Sequence, residues 1–274
     1  MDDIIIGILE ELFSFDTDHA SGLSDSLRGH NAQAYDWVIS LHDRAVVPVS
    51  SVVISIILVL ELARNATHIE GDQQMGVRII AGTMFKSALL VVAAQNSMLF
   101  LDAINEVSSA IITGMGEIDK PELPVLPAGI EEDVKDAGDV DKAGMLVLLI
   151  IPFLVSLIAR IVVQVMVVLR FAELYMLTAF ASLPIALLGH PDTKSMGVGY
   201  LQRYASVGFH GAAIMLAIQI YGYLMQDVIS FPAVGDSELW AWVVANYYLF
   251  LLGPAVLIVL IMASGRIAKA VVGQ

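Results

Sequence analysis

Residues 171–222 read FAELYMLTAFASLPIALLGHPDTKSMGVGYLQRYASVGFHGAAIMLAIQIYG, two apolar arms around a short polar centre from His190 to Arg203. No soluble domain is written this way. The first arm, Phe171 to Gly189, carries Pro184 near its far end. At ~1.5 Å per residue it is barely long enough to cross ~30 Å of hydrocarbon. The second arm, Tyr204 to Tyr223, is loaded with Gly208, Gly211, Ala212, Ala213 and Ala217. Small residues of this kind let helices approach closely in a bilayer, where apolar side chains gain nothing by leaving equally apolar lipid.

The rest of the chain agrees with that opening. A mean hydropathy of +0.77 and only 15% charged residues over 274 residues place it among multi-span membrane proteins. Met1 to Glu11 carries Asp2, Asp3, Glu10 and Glu11, the wrong sign for the start of a secretory signal. With no cysteine, neither a disulfide framework nor a cysteine metal site is available. A formal charge of −14 argues against a general electrostatic grip on nucleic acid.

Taken in order, Asp2 to Phe15 sets Ile4, Ile5, Ile8, Leu9, Leu12 and Phe13 on one helical stripe, with acids opposite. It is too short to span and fits an amphipathic helix on a membrane face or a partner. A loop over 17–31 and a second surface helix over 32–45 complete an extracytoplasmic region, 1–45. Residues 46–101 hold two spans, Val46 to Ala63 with Pro48 in its opening turn, and Val77 to Leu101. Residues 102–143 read as an acidic, proline-punctuated extracytoplasmic loop, whose run Glu131 to Asp141 is most simply a solvated face. A transmembrane core over 144–265 holds the third span, the opening stretch, and a last span from Leu239 to Ala263 with Trp240, Trp242, Tyr247 and Tyr248 at its start. A tail, 266–274, carries Arg266 and Lys269. The expected fold is therefore all-α, with about five transmembrane helices, a re-entrant or elbow segment over 171–189, and the N-terminal amphipathic helix. Lysine and arginine favour the cytoplasmic side, which gives the N-terminus outside and the C-terminus inside.

Polar residues within the spans are the candidate functional ones, because a mid-membrane charge costs at least ~2.5 kcal/mol on insertion scales. Arg160 and Gln164 lie one turn apart, with Arg170 and Glu173 beyond them. They suggest an ion pair, Arg160 or Arg170 with Glu173, or a polar path. Gln95, Asn96, Gln219 and Asn246 read as inter-helix glue or pore lining, and Lys86 as a side chain snorkelling to the surface. His210 has no second ligand at helical spacing, so a structural role outweighs a metal site or proton relay. His190, beside Pro191, belongs to a turn. Gly208, Gly211 and Ala212 form a surface for helix packing or oligomer contact. No nucleotide-binding glycine loop, zinc-protease motif or nucleophile elbow is present, so no catalytic residue, cofactor or metal is expected.

An aromatic–acidic–Leu–Tyr opening (Phe171, Glu173, Leu174, Tyr175), a proline-containing apolar run, a turn, Gly197-x-Gly199-Tyr200-Leu201 and a Gly/Ala/Gln-rich helix resemble the TrbL-like family. These are the polytopic inner-membrane subunits of type IV secretion and conjugation systems, here in the short Gram-positive form. The likeness is best over 146–267 and faint before residue 45. It implies a non-enzymatic channel or scaffold subunit in the inner membrane, assembled as a homo-oligomeric ring. The implied partners are single-span assembly subunits, cytoplasmic ATPases and membrane lipids, with single-stranded DNA and its relaxase as transient substrate. A secondary transporter or another polytopic membrane channel is the alternative, and a transporter would show matched broken helices in two halves. Only one broken segment, at Pro184, is evident.

Overall fold

A computed structural model describes residues 1–13, 22–66, 73–118, 127, 129–228 and 239–274, and among these there is no strand. The expected turn over 231–238, residues 67–72 of the connection over 65–76, residues 17–21 of the loop over 17–31, and residues 119–126 and 128 of the acidic loop lie outside the described residues. The helices are α1 (Asp2–Phe13), α2 (Leu27–His30), α3 (Ala32–Leu41), α4 (Val47–Ala66), α5 (Gln73–Gln95), α6 (Ser97–Gly116), α7 (Ile130–Asp136), α8 (Asp139–Ala179), α9 (Ser182–Leu187), α10 (Lys194–Val228), α11 (Leu239–Ala245) and α12 (Tyr247–Val272). Among the described residues, six helical stretches are long and apolar enough to cross a membrane, in keeping with an all-α membrane protein. They fall into two compact units. The first comprises Met1–Leu23, Ile112–Val168 and Ala212–Ile267; the second Ser24–Ile111, Leu169–Gly211 and Ala268–Gln274.

The first unit closes over an apolar cluster. Ile5 and Leu9, the inner edge of the α1 stripe, are buried against Ile130 and Val134 of α7, Met145 and Leu149 of α8, and Leu239, Trp242 and Phe250. The i, i+4 spacing of each pair puts both members on one helix face. The surface helix expected to lie on lipid or a partner thus finds its cover within its own chain. Glu131 and Glu132 stay exposed, the solvated face the sequence suggested. Gly144 admits the Trp240 indole, since a Cβ there would sit 2.8 Å from its ring.

In the second unit the sequence reading needs three corrections. Residues 32–45 are not a separate surface helix. They run into α4 through a π-helical turn, His42–Val46, making one 35-residue helix over Ala32–Ala66. Pro48 therefore lies in a helix interior, not an opening turn. A proline ring collides with the carbonyl four residues back, and the wider π turn just upstream relieves that collision; Val47 N–H bonds to His42 C=O, five residues away.

The second span does not stop at Leu101. The chain stays helical to Gly116, because Asp102 and Glu106 lower hydropathy without breaking a helix. α5 and α6 are parted by Asn96 alone, whose N–H still reaches Val92 C=O at 3.0 Å while its own C=O accepts from Leu99 N–H at 3.1 Å. Reversal between antiparallel helices needs about 2–5 residues, so α5 and α6 follow one another across a one-residue break and do not form a hairpin.

The arm 171–189 is not one element either. α8 runs on to Ala179, 41 residues in all, and the elbow falls at Phe180–Ala181 before α9. Pro184 occupies the first turn of α9, where its missing N–H would have had no intrahelical partner anyway. His30 also stacks on Phe171, ring centroids 3.7 Å apart. Residues 27–31 therefore lie at the end of α8 that carries Arg170 and Glu173.

Candidate functional site

The densest set of buried polar groups forms where α6, the end of α8 and the start of α10 meet. On α10, Tyr200 is followed by Arg203, Tyr204, Gly208 and Gly211 after three, four, eight and eleven residues, so one face carries all of them. Tyr204 is fully buried. Its hydroxyl accepts from Asn105 Nδ2 at 2.6 Å and meets Thr178 Oγ1 at 3.4 Å. Ser108 Oγ donates to Gly208 C=O at 2.6 Å, and Tyr200 OH to Leu177 C=O at 2.8 Å. Tyr175 OH donates to Leu27 C=O at 2.7 Å, tying α2 to the same place.

Arg170 is the cation at the centre, only 4% exposed. Its guanidinium carbon lies 5.0 Å from the centre of the Phe171 ring, whose other partner is His30. The guanidinium has room because residue 211 is glycine: a Cβ there would sit 2.7 Å from Arg170 Nε and closer still to the rest of the group. Glu173 pairs with Arg203 at 3.1 Å, both side chains about 40% exposed (43% and 40%). An ion pair that open to solvent contributes roughly 0–1 kcal/mol.

The polar residues marked in the sequence are not gathered into one site. Arg160 pairs with the Glu11 carboxylate and donates to its backbone carbonyl at 2.6 Å. The suggested Arg160–Glu173 pair is excluded by the helix itself, since thirteen residues at ~1.5 Å each separate them by about 20 Å. Of the suggested Arg170–Glu173 pair, Glu173 meets Arg203 and the Arg170 guanidinium lies over the Phe171 ring. Gln164 is exposed, as are Gln95 and Asn96. Asn96 turns its amide back to Val92 C=O at 2.8 Å, and Asn246 does the same to Trp242 C=O at 2.8 Å. Both mark one-residue helix breaks and not inter-helix glue. Gln219 does act as glue, donating to Met115 C=O at 2.8 Å, near the end of α6, where carbonyls lack helical partners. Lys86 reaches Glu61 at 3.5 Å.

Gly208 and Ala212 are buried within the chain. A Cβ on Gly208 would meet Ile104 at 3.6 Å and Asn105 at 3.8 Å, both on α6 of the same molecule. That contact, unlike the suggested oligomer surface, is internal. Sequence reasoning missed Tyr204, Asn105, Ser108, Arg203 and Glu11. The signal for the α10 set was present in its spacing, but Glu11 lay in a helix read as superficial.

Among the described residues, no group of three His, Asp or Glu side chains could hold a metal ion. The cluster contains hydrogen-bond donors, an aromatic-stacked cation and small residues, the means by which helices are fixed to one another in lipid. Fold and cluster together define a multi-pass helical membrane protein whose buried polar groups serve packing. The family described as TrbL/VirB6 plasmid conjugal transfer like protein matches residues 17–182, and the chain belongs to it. Its match ends at Ser182, so Phe171–Tyr175 lies within it while Gly197-x-Gly199-Tyr200-Leu201 lies beyond. The match also takes in residues 17–45, where the resemblance had been faint. No curated protein and no solved structure matches the chain.

Proposed function

We propose that the protein is a non-enzymatic structural subunit of the inner-membrane channel of a conjugative type IV secretion machine, acting as an oligomer. The observation that carries this reading is the family match over residues 17–182, in a chain with six helical stretches fit to cross a membrane. The placement of charge supports it. Arg160, Arg170 and Glu173 are taken up by Glu11, Phe171 with Gly211, and Arg203, a pattern of bracing and not of acid–base chemistry. Energy for transfer comes from partner ATPases, and single-span subunits and a passing DNA–relaxase substrate complete the machine.

Basic residues orient the chain. Lys194, Arg203, Arg266 and Lys269 support a reading in which the α9 turn and the C-terminal tail face the cytoplasm and residue 138 faces outside. The Asp2–Lys142 pair, at 2.9 Å, sets the N-terminus at the start of α8, so in this reading it faces outside too.

Deleting the gene from a donor strain should abolish plasmid transfer, and the intact gene supplied in trans should restore it. Transfer at the parental rate without the gene removes the proposal. Reporter fusions after Gly138 and Gln274 should read outside and inside, respectively. Native mass spectrometry of the solubilised protein measures the oligomer, and a monomer in every mild detergent removes the ring.

A further inference from the structure

Three helices of the second unit bring cations to one place. Arg170 of α8 lies against Gly211 of α10. Arg203, about two turns earlier on α10, meets Glu173 at 3.1 Å. The end of α12 joins them, since Gln274 Nε2 donates to Gly199 C=O at 3.4 Å. That contact carries Lys269, an exposed side chain, along the same part of α10. The charges of Arg170, Lys269 and Arg203 all reach His210.

The balance of charge there is positive. Of the acids near α10, Glu173 pairs with Arg203, and Asp102 of α6 bears on Tyr204. The charges that bear on His210 are cations. Arg203 is 40% exposed, so both it and Lys269 are open to a ligand. Arg170, 4% exposed, lies behind them, where mobile ions screen its charge less.

The depth of these cations is set by the sequence of their helices. From Tyr204 to Gln226 on α10, and from Leu239 to Gly265 leading into the end of α12, no Asp, Glu, Lys or Arg occurs. Either run is long enough to cross ~30 Å of hydrocarbon. Arg203 comes just before the first run and Lys269 just after the second, so both belong at the level where the phosphates of a bilayer lie. A ligand here has to present an anion at the edge of an apolar surface, as a phospholipid does. A nucleic-acid strand wants a basic groove that tracks its backbone. On α10 the cation gives way at once to Tyr204, Ala205, Ser206 and Val207.

We propose that Arg203 and Lys269, backed by Arg170, form a site for the headgroup of an anionic phospholipid. Basic pockets between membrane helices hold such headgroups by this chemistry, and each cation near an anionic membrane surface contributes about five-fold in affinity. The site depends on the membrane fold and not on the role in secretion, nor on which end of the helices faces the cytoplasm.

Native mass spectrometry of the solubilised chain tests it, with phosphatidylglycerol or phosphatidylcholine of the same acyl chains added. The chain should retain phosphatidylglycerol several-fold over phosphatidylcholine. Lys269→Gln, at an exposed position where packing is untouched, should cut that excess several-fold, and Arg203→Gln likewise. Glu173→Gln, which removes the competing acid, should raise it. Arg28→Gln, at an exposed arginine of the same unit that pairs with Asp36, should leave it unchanged. Equal retention of the two lipids overturns the site. So does an equal loss in Arg28→Gln, because surface charge in general would then be enough. Displacement of the lipid by glycerol phosphate or by a single-stranded oligonucleotide, each at the lipid's concentration, overturns it too, in favour of a site for free phosphate or for nucleic acid.

Discussion

Both units use apolar and polar contacts, but their largest clusters differ in chemistry. In the first, Ile5, Leu9, Ile130, Val134, Met145, Leu149 and Trp242 form a core indistinguishable in kind from that of a soluble domain. In the second, the centre is Tyr204, Asn105, Thr178, Ser108 and Arg170, held by hydroxyls, an amide and a cation on an aromatic ring. The apolar core involves an amphipathic helix, an acidic helix and the starts of α8 and α11. There, burying an aliphatic side chain contributes roughly 1.5–3 kcal/mol. Helices bathed in lipid have no such gain, so fit and hydrogen bonds decide.

The sharpest way to break the comparison is to remove one apolar side chain. Leu9→Ala leaves a hole in a cluster where Leu9 is 1% exposed. Large-to-small changes of this type cost about 2–5 kcal/mol. Hydrogen exchange should show α1 losing protection while residues 200–211 keep theirs. Equal loss in both regions would mean that the apolar cluster does not stabilise α1 separately.

A smaller effect is expected from Gly211→Leu. The new side chain would occupy the place of the Arg170 guanidinium, and overpacking costs typically about 1–3 kcal/mol. Arg170→Ala should rescue the variant, since removing the guanidinium clears the space. The coupling is read from denaturant titration in micelles of the two single variants and the double. Additive losses would mean that Gly211 acts elsewhere than on Arg170.

Smaller again is Tyr204→Phe, which deletes one hydroxyl shared by Asn105 and Thr178. Hydrogen bonds between membrane helices average only about 0.6 kcal/mol. A loss several times larger in the same titration would assign the cluster a stabilising weight that the comparison denies it.

The all-α membrane fold was legible because hydropathy and charge are properties of the sequence alone. So was the stripe on α1, although not what it covers. Helix ends were misread where polar residues stood in for boundaries: Asp102 and Glu106 looked like the edge of a loop, and Asp43 and Arg44 like the surface before a span. In both places the backbone runs straight through, because a charge ends a hydrophobic run without ending a helix. The candidate site was half visible. Arg170 and Gly211 were both marked, one as a pairing charge and the other as a packing residue. Nothing in a linear reading says that the second makes room for the first, forty-one residues away. Tyr204 was passed over because a tyrosine near a span end is ordinarily an interfacial anchor.

The smallest effect should come from acid. Asp2 meets Lys142 Nζ at 2.9 Å, and that side-chain hydrogen bond is the main cause holding its carboxyl below the usual aspartate range. The sign follows from linkage. A carboxyl whose pKa is depressed on folding stabilises the folded form above its unfolded pKa of about 3.9, and the contribution is lost as pH falls through the lower folded value. Lys142 also donates to Lys135 C=O at 2.9 Å, so it keeps a partner when Asp2 is protonated. Ile5 and Leu9 hold α1 by burial, which acid does not touch. Acidification through and below pH 4 should therefore loosen only the first turn of α1, detected as faster exchange at Ile4 and Ile5, and Asp2→Asn should show the same fraying already at neutral pH. Release of the whole helix under either condition would mean that the ion pair, and not the apolar cluster, is what keeps α1 in place.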